Sequence, residues 1–230
     1  MYQWADRQLG QVPTPSQPTG TGVPSRRSVP GLPPNPVDAR ARAIITAAQD
    51  PARGIADRAV ATVLSILRTY YPPEAGKVSN VVFMDQLPGL ATRTIGSGPT
   101  ARGQISVGRY FVEHTTEPYF ARRVLQVGHE LRHIDQWRAG MIGHDRQPER
   151  EFLAHCWTVL AGERPGTGRM NHATRVLIID AALGNLNCLG SSVRVRYAKE
   201  EETLLALRIR DQAASGRAAT PPPSVCAPSH

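Results

Sequence analysis

The five residues His129-Glu130-Leu131-Arg132-His133 read HExxH. They constrain the chain more than any other feature, because that spacing has chemical meaning only on a helix. At ~3.6 residues per turn, positions i and i+4 lie roughly 40° apart and about one turn along the axis. Two imidazoles so placed can grip one metal ion. Glu130 projects to the side of the pair, where a carboxylate can take a proton from a metal-activated water instead of ligating the metal. Zinc lowers the pKa of such a water from ~15.7 toward ~7, so a nearby carboxylate can complete the activation at neutral pH. The motif predicts a Zn2+ hydrolase with His129 and His133 as ligands and Glu130 as general base.

The flanking residues agree with a helix. Phe120, Val124, Val127, Leu131 and Ile134 recur at steps of four and three and fall on one face, which is the expected core face. His129 and His133 come out on the opposite side, where a metal helix bordering a cleft needs them. Gly128 is disfavoured in a helix interior and is expected to let another backbone pass close to the metal face.

A catalytic zinc usually takes three protein ligands and leaves one position open, so a further His, Asp or Glu is needed downstream. The candidates are His144, Glu149, Glu151 and His155. The arrangement HExxHxxGxxH is excluded, because Gln136 stands at its glycine and Ala139 at its last histidine. Gly140, Gly143 and Pro148 read as a helix stop, a turn and a restart near Glu149. The segment from Glu149 to Ala161 then puts Phe152, Cys156 and Val159 on one face of a second helix. Glu151 and His155 form an i, i+4 pair on one side of it, so Glu151 can ligate the metal while His155 supports the ligands or joins them. Glu151 is the favoured third ligand.

At this point the stretch from Gln104 to Ala161 resembles the gluzincin group of zincin metallopeptidases, in which an HExxH helix is followed by a helix supplying a glutamate, often as ExxAD. The matching residues are Glu151-Phe152-Leu153-Ala154-His155, with His155 where that pattern has an aspartate. His129-Glu130-Leu131-Arg132-His133-Ile134-Asp135-Gln136 is also similar to the HELxHxxQ core of metallopeptidase domains in bacterial toxins and effectors. The resemblance implies a zincin-like α+β fold, mainly helical with a small sheet beside the HExxH helix, acting on a protein or peptide substrate. It also implies an edge strand just upstream of the metal helix that can pair with an extended peptide. Gln104 to Val112, with its β-branched content and opening alternation, is the expected strand for that role.

A domain is expected over residues 37–215, between a disordered Pro/Gly/Ser-rich leader (1–36) and a disordered tail (216–230). Helical patterns are expected from Val37 to Tyr70 with a break near Pro51, from Arg169 to Leu186, and from Tyr197 to Ala214. Ala56, Val60, Val63, Leu64 and Leu67 form the expected stripe of the first. Val176, Ile179 and Leu183 form that of the second, and Leu204, Leu207 and Ile209 that of the last. Val78 to Met84 reads as a strand, and the region from there through Ile95 as looser chain. His172, Tyr197 and Tyr110 are chemically eligible to stabilise an oxyanion. Cys156, Cys188 and Cys226 match no CxxC zinc pattern.

The opening residues lack a basic stretch followed by an apolar core, so no classical signal peptide is expected. The chain is expected in the cytoplasm or exported by a specialised system, and no stretch suits a membrane span. A formal charge of +8 raises an alternative to an enzyme, a basic module for nucleic acid or an anionic surface; within the same fold, an inactive zincin-fold module that binds a partner without cleaving it is another. Against specific nucleic-acid binding, the arginines are scattered and aromatic residues make up only 6%.

Overall fold

Asp38 starts the first helix by accepting a hydrogen bond from the Ala41 amide at 2.8 Å. The computed structural model describes residues 35–96 and 98–216. The expected leader up to residue 34 and the expected tail beyond Gly216 lie outside the described residues. Asn35, inside the expected leader, is held in place: its amide donates to the carbonyls of Arg164 and Gly168 and accepts from the Gly166 amide.

Helices α1 (Ala39–Gln49) and α2 (Ile55–Tyr70) flank the expected break at Pro51. The buried face of α2 is Ala59, Thr62, Val63, Ile66 and Leu67. It is rotated from the expected stripe, since Ala56, Val60 and Leu64 are only half-buried. Strands β1 (Val78–Phe83), β2 (Leu90–Ile95) and β3 (Arg102–Val107) follow. They form a sheet in the order β1-β3-β2, with β3 parallel to β1 and antiparallel to β2.

Two expectations change here. The strand upstream of the HExxH helix is central, with both edges paired, and so cannot take up a peptide. It also ends at Val107, because Gly108 opens the short helix α3 (Arg109–Glu113). The region read as looser chain holds β2, a strand on the sheet edge.

The HExxH segment lies in α4 (Phe120–Arg138), followed by α5 (Gln147–Leu160), α6 (His172–Asn187), α7 (Ser191–Arg194) and α8 (Ala198–Ser215). The class is α+β, mainly helical, with a small three-stranded sheet among the described residues. Pro148 falls in the first turn of α5, where its missing amide hydrogen costs nothing. On α6, Val176, Ile179 and Leu183 are buried as expected. On α8, Leu204 is buried but Ile209 is 69% exposed. The inner face of α8 carries Arg208, Asp211 and Gln212 instead.

Two apolar cores result. The first joins α1, α2, the sheet and the α4 residues Phe120, Val124, Val127, Leu131 and Ile134, all completely buried. The second joins Phe152, Cys156 and Val159 of α5 to Ile179 and Leu183 of α6 and Leu204 of α8, with Leu125 of α4 reaching in. Trp157 packs against both.

Candidate metal centre

Helix α4 is wedged in place by two glycine contacts. On the sheet side, a Cβ at Gly103 would meet Ile134 Cδ1 at 2.3 Å, so the helix rests directly on β3. On the other side, a Cβ at Gly128 would meet Trp157 Cη2 at 2.2 Å and the Tyr71 hydroxyl at 2.5 Å. Gly128 therefore does admit a close approach, but of an α5 side chain and a phenol rather than the backbone that was expected. Tyr71 completes the contact by donating its hydroxyl to the Val124 carbonyl at 2.9 Å.

This seating lays α5 across the histidine face of α4. His129 and His133 point away from the first core as expected, yet their side chains are only 13% and 15% exposed, because α5 roofs them. Glu151 hangs from that roof, its side chain 4% exposed. Its Oε1 lies 2.9 Å from His133 Nε2, and its Oε2 lies 3.6 Å from His129 Nε2. The two Nε2 atoms are 3.1 Å apart. Among the described residues, His129, His133 and Glu151 form the one group whose ligand atoms converge closely enough to hold a metal ion, all within 4.8 Å of one another.

The outer nitrogens of the imidazoles are also engaged. His129 Nδ1 lies 3.3 Å from Thr158 Oγ1, and His133 Nδ1 lies 2.9 Å from Gln136 Oε1. The Thr158 hydroxyl donates to the Ala154 carbonyl at 2.9 Å, and the Gln136 amide donates to the Arg150 carbonyl at 2.8 Å. Both residues are buried. His155 sits beside the cluster, its Nε2 3.9 Å from Glu151 Oε2 and its ring 4.6 Å from that of His129.

Burial and charge oppose each other here. Burial lowers the pKa of His133, but the Glu151 carboxylate outweighs it and, with Glu130, raises the value to about 9. Burial pushes the Glu151 carboxyl up, and His133 and His129 more than reverse this, holding it well below the ordinary carboxylate range. His155 is pushed down to about 3, first by burial and then by His129.

The other candidates are placed elsewhere. Glu149 is buried and accepts from the Tyr197 hydroxyl at 2.5 Å and from Arg146 and Arg196. His144 is exposed in the turn before α5. His172 Nδ1 pairs with Asp211 at 2.9 Å, and Tyr110 stacks on His114, so the three eligible oxyanion donors all have partners away from the cluster.

The fit to a cation is testable on Glu151 itself. Its Oε1 is fully buried and accepts no well-formed hydrogen bond, with the ion-paired His133 Nε2 2.9 Å away. An orphaned carboxylate oxygen facing two imidazole nitrogens is what a bound cation would satisfy. Sequence reasoning found Glu151 but missed the partners of the imidazoles. Gln136 registered as a mismatch to a longer zinc motif and as the last residue of the HELxHxxQ resemblance, with no role assigned, although it lies three residues beyond His133 on the same face. Thr158 continues the stripe Glu151, His155, Thr158 at i, i+4 and i+7, which was signal enough to place it beside the site. Compared with protein families, curated proteins and solved structures, the chain matches none.

Proposed function

We propose that the chain is a zinc-dependent metallopeptidase of gluzincin type, with His129, His133 and Glu151 as metal ligands and Glu130 as general base. The observation that carries this reading is the arrival of Glu151, from a separate helix, with a buried and unsatisfied oxygen at the HExxH histidine pair. Two nitrogens and one carboxylate oxygen form a donor set suited to zinc with one position left open. Zinc held there would activate a water and polarise the scissile carbonyl.

The protein's own groups supply the rest. Glu130 follows His129 on α4, is buried, and lies near enough to raise the pKa of His133. Its carboxylate accepts the proton of the attacking water and passes it to the nitrogen of the leaving amine. The edge strand β2 lies beside the metal helix, with the Thr92 hydroxyl donating to the Glu130 carbonyl at 3.5 Å. The outer edge of β2, rather than β3, is the strand that would align an extended peptide.

Metal content and cleavage of an unfolded protein substrate, measured on the same preparations, test the reading. Wild type should carry one zinc per chain and cleave. Glu130→Gln should keep the metal and lose cleavage by about two to four orders of magnitude. Glu151→Ala should lose the metal, while Glu149→Gln keeps it. An active Glu130→Gln protein rules out the mechanism.

A further inference from the structure

The hydrogen bonds around the two imidazoles determine which nitrogen of each carries the proton. The Thr158 hydroxyl has one hydrogen, and it goes to the Ala154 carbonyl. Toward His129 Nδ1, 3.3 Å away, the hydroxyl oxygen can therefore only accept, so His129 must donate from Nδ1. The same reasoning fixes His133. The Arg150 carbonyl accepts only, so the amide nitrogen of Gln136 must face it. Gln136 Oε1 is thereby turned to His133 Nδ1 at 2.9 Å, and that nitrogen must also donate. With those protons on Nδ1, Nε2 is the nitrogen each neutral ring offers to a cation on the side of Glu151, once the proton shared there with Glu151 and between the two Nε2 atoms is displaced.

We infer that Gln136 and Thr158 are positioning residues of the metal centre, each clamping one histidine in the Nδ1–H tautomer with its Nε2 lone pair aimed at the cation. This rests on the metal-centre reading above and extends it. Two consequences follow from the identity of the clamps. Both are neutral, where metal-bound histidines are often held by carboxylates, so the site carries no added negative charge from its supporting residues. Both also fasten α4 to α5: Thr158 belongs to α5 itself, and Gln136 reaches the backbone of Arg150, the residue before Glu151. The arginine side chain in turn donates to the carbonyls of Met141 and Gly143, tying the α4–α5 turn to the same point. Ring orientation and the approach of the third ligand are thus set by one network. His155 occupies the position of the aspartate in the ExxAD pattern, and the clamp for His129 lies three residues further along the helix.

The test is titration of the metal-free full-length chain with Zn2+ against a chromophoric chelator, and with Co2+ followed by its visible absorption. Thr158→Val and Gln136→Ala should each weaken affinity by about 10–100-fold and alter the Co2+ spectrum. Thr158→Ser, which restores the hydroxyl, should recover wild-type affinity and spectrum. Gln136→Glu keeps an acceptor for His133 while losing the donation to Arg150. It should bind metal about as tightly as wild type even where thermal unfolding of the metal-free protein shows it to be less stable, which a purely structural role would not produce. Variants that bind within twofold of a metal-binding wild type, with unchanged Co2+ spectra, overturn the positioning role and leave the metal reading standing. A wild type that binds neither ion overturns both.

Discussion

Between His133 Nε2 and Glu151 Oε1, 2.9 Å apart, a proton and a metal compete for the same ground. With no metal, His133 is raised to about 9 and Glu151 held well below its usual range, so the pair is an ion pair at neutral pH. A raised histidine stabilises the fold fully below its unfolded pKa of ~6.5, and that contribution is lost as pH rises through about 9. His155 acts oppositely. With its folded value pushed down to about 3, it removes stability as pH falls from ~6.5 toward that value, because the unfolded chain binds a proton that the folded chain refuses. The chelator-treated protein should therefore be most stable near pH 6.5, falling on both sides, as thermal melts across pH 4–9.5 would read. Metal must displace the proton on His133, so binding should release protons and tighten as pH rises toward about 9. Calorimetry in buffers of different ionisation enthalpy measures that release, and zinc uptake with no proton release near pH 7 would contradict it.

At the scale of elements, the site depends on how closely α5 lies on α4, and Gly128 sets that distance. Gly128→Ala adds a methyl within 2.2 Å of the Trp157 ring and 2.5 Å of the Tyr71 hydroxyl. The helix gains about 1 kcal/mol in propensity, but overpacking costs about 1–3 kcal/mol, and relief requires α5 to shift. The expected outcome is a net loss of up to ~2 kcal/mol in denaturant melts with weakened metal binding, and an unchanged zinc affinity would show that the crossing does not set the ligand geometry. The residues that make these two helices were legible in the sequence: the stripe from Phe120 to Ile134 has a clean 3.6-residue period, and Phe152, Cys156 and Val159 repeat it. What the sequence concealed were pairings. Leu90 to Ile95 is a strand in which Thr92 and Thr94 are half-buried and Arg93 and Ile95 exposed, so its apolar pattern is weak. The central place of β3 depends on two neighbours that its own alternation does not encode. Gly128 was legible as a close approach but not as an approach of Trp157, because the partner of a helix face is a tertiary fact.

For the whole molecule, the candidate metal site lies on the seam between two cores. Helix α4 gives most of its apolar side chains to the core it shares with α1, α2 and the sheet, while α5 gives its own to the core with α6 and α8. The candidate ligands divide the same way, with His129 and His133 from one half and Glu151 from the other. Other contacts cross as well: Trp157, which packs against both cores, Leu125, the clamps from Thr158 and Gln136, and the loop after α5, where Asn35 and Asp38 bond to Arg164, Gly166 and Gly168 and the Arg164 guanidinium lies over the Tyr71 ring. A cation bound by all three ligands therefore acts as a staple between the halves, and binding to the folded chain alone stabilises it by RT ln(1 + [L]/Kd). At free zinc 100 times Kd the gain should be about 2.7 kcal/mol, and at 1,000 times about 4.1 kcal/mol. The staple predicts where that gain appears. In native-state hydrogen exchange, amides of α5, α6 and α8 should slow on zinc addition, because their sub-global opening separates Glu151 from the histidines. Amides of α1 and α2, whose local opening leaves the three ligands together, should slow only where they exchange through global unfolding. Equal protection in every helix would instead show that the two cores already unfold as one unit without the metal.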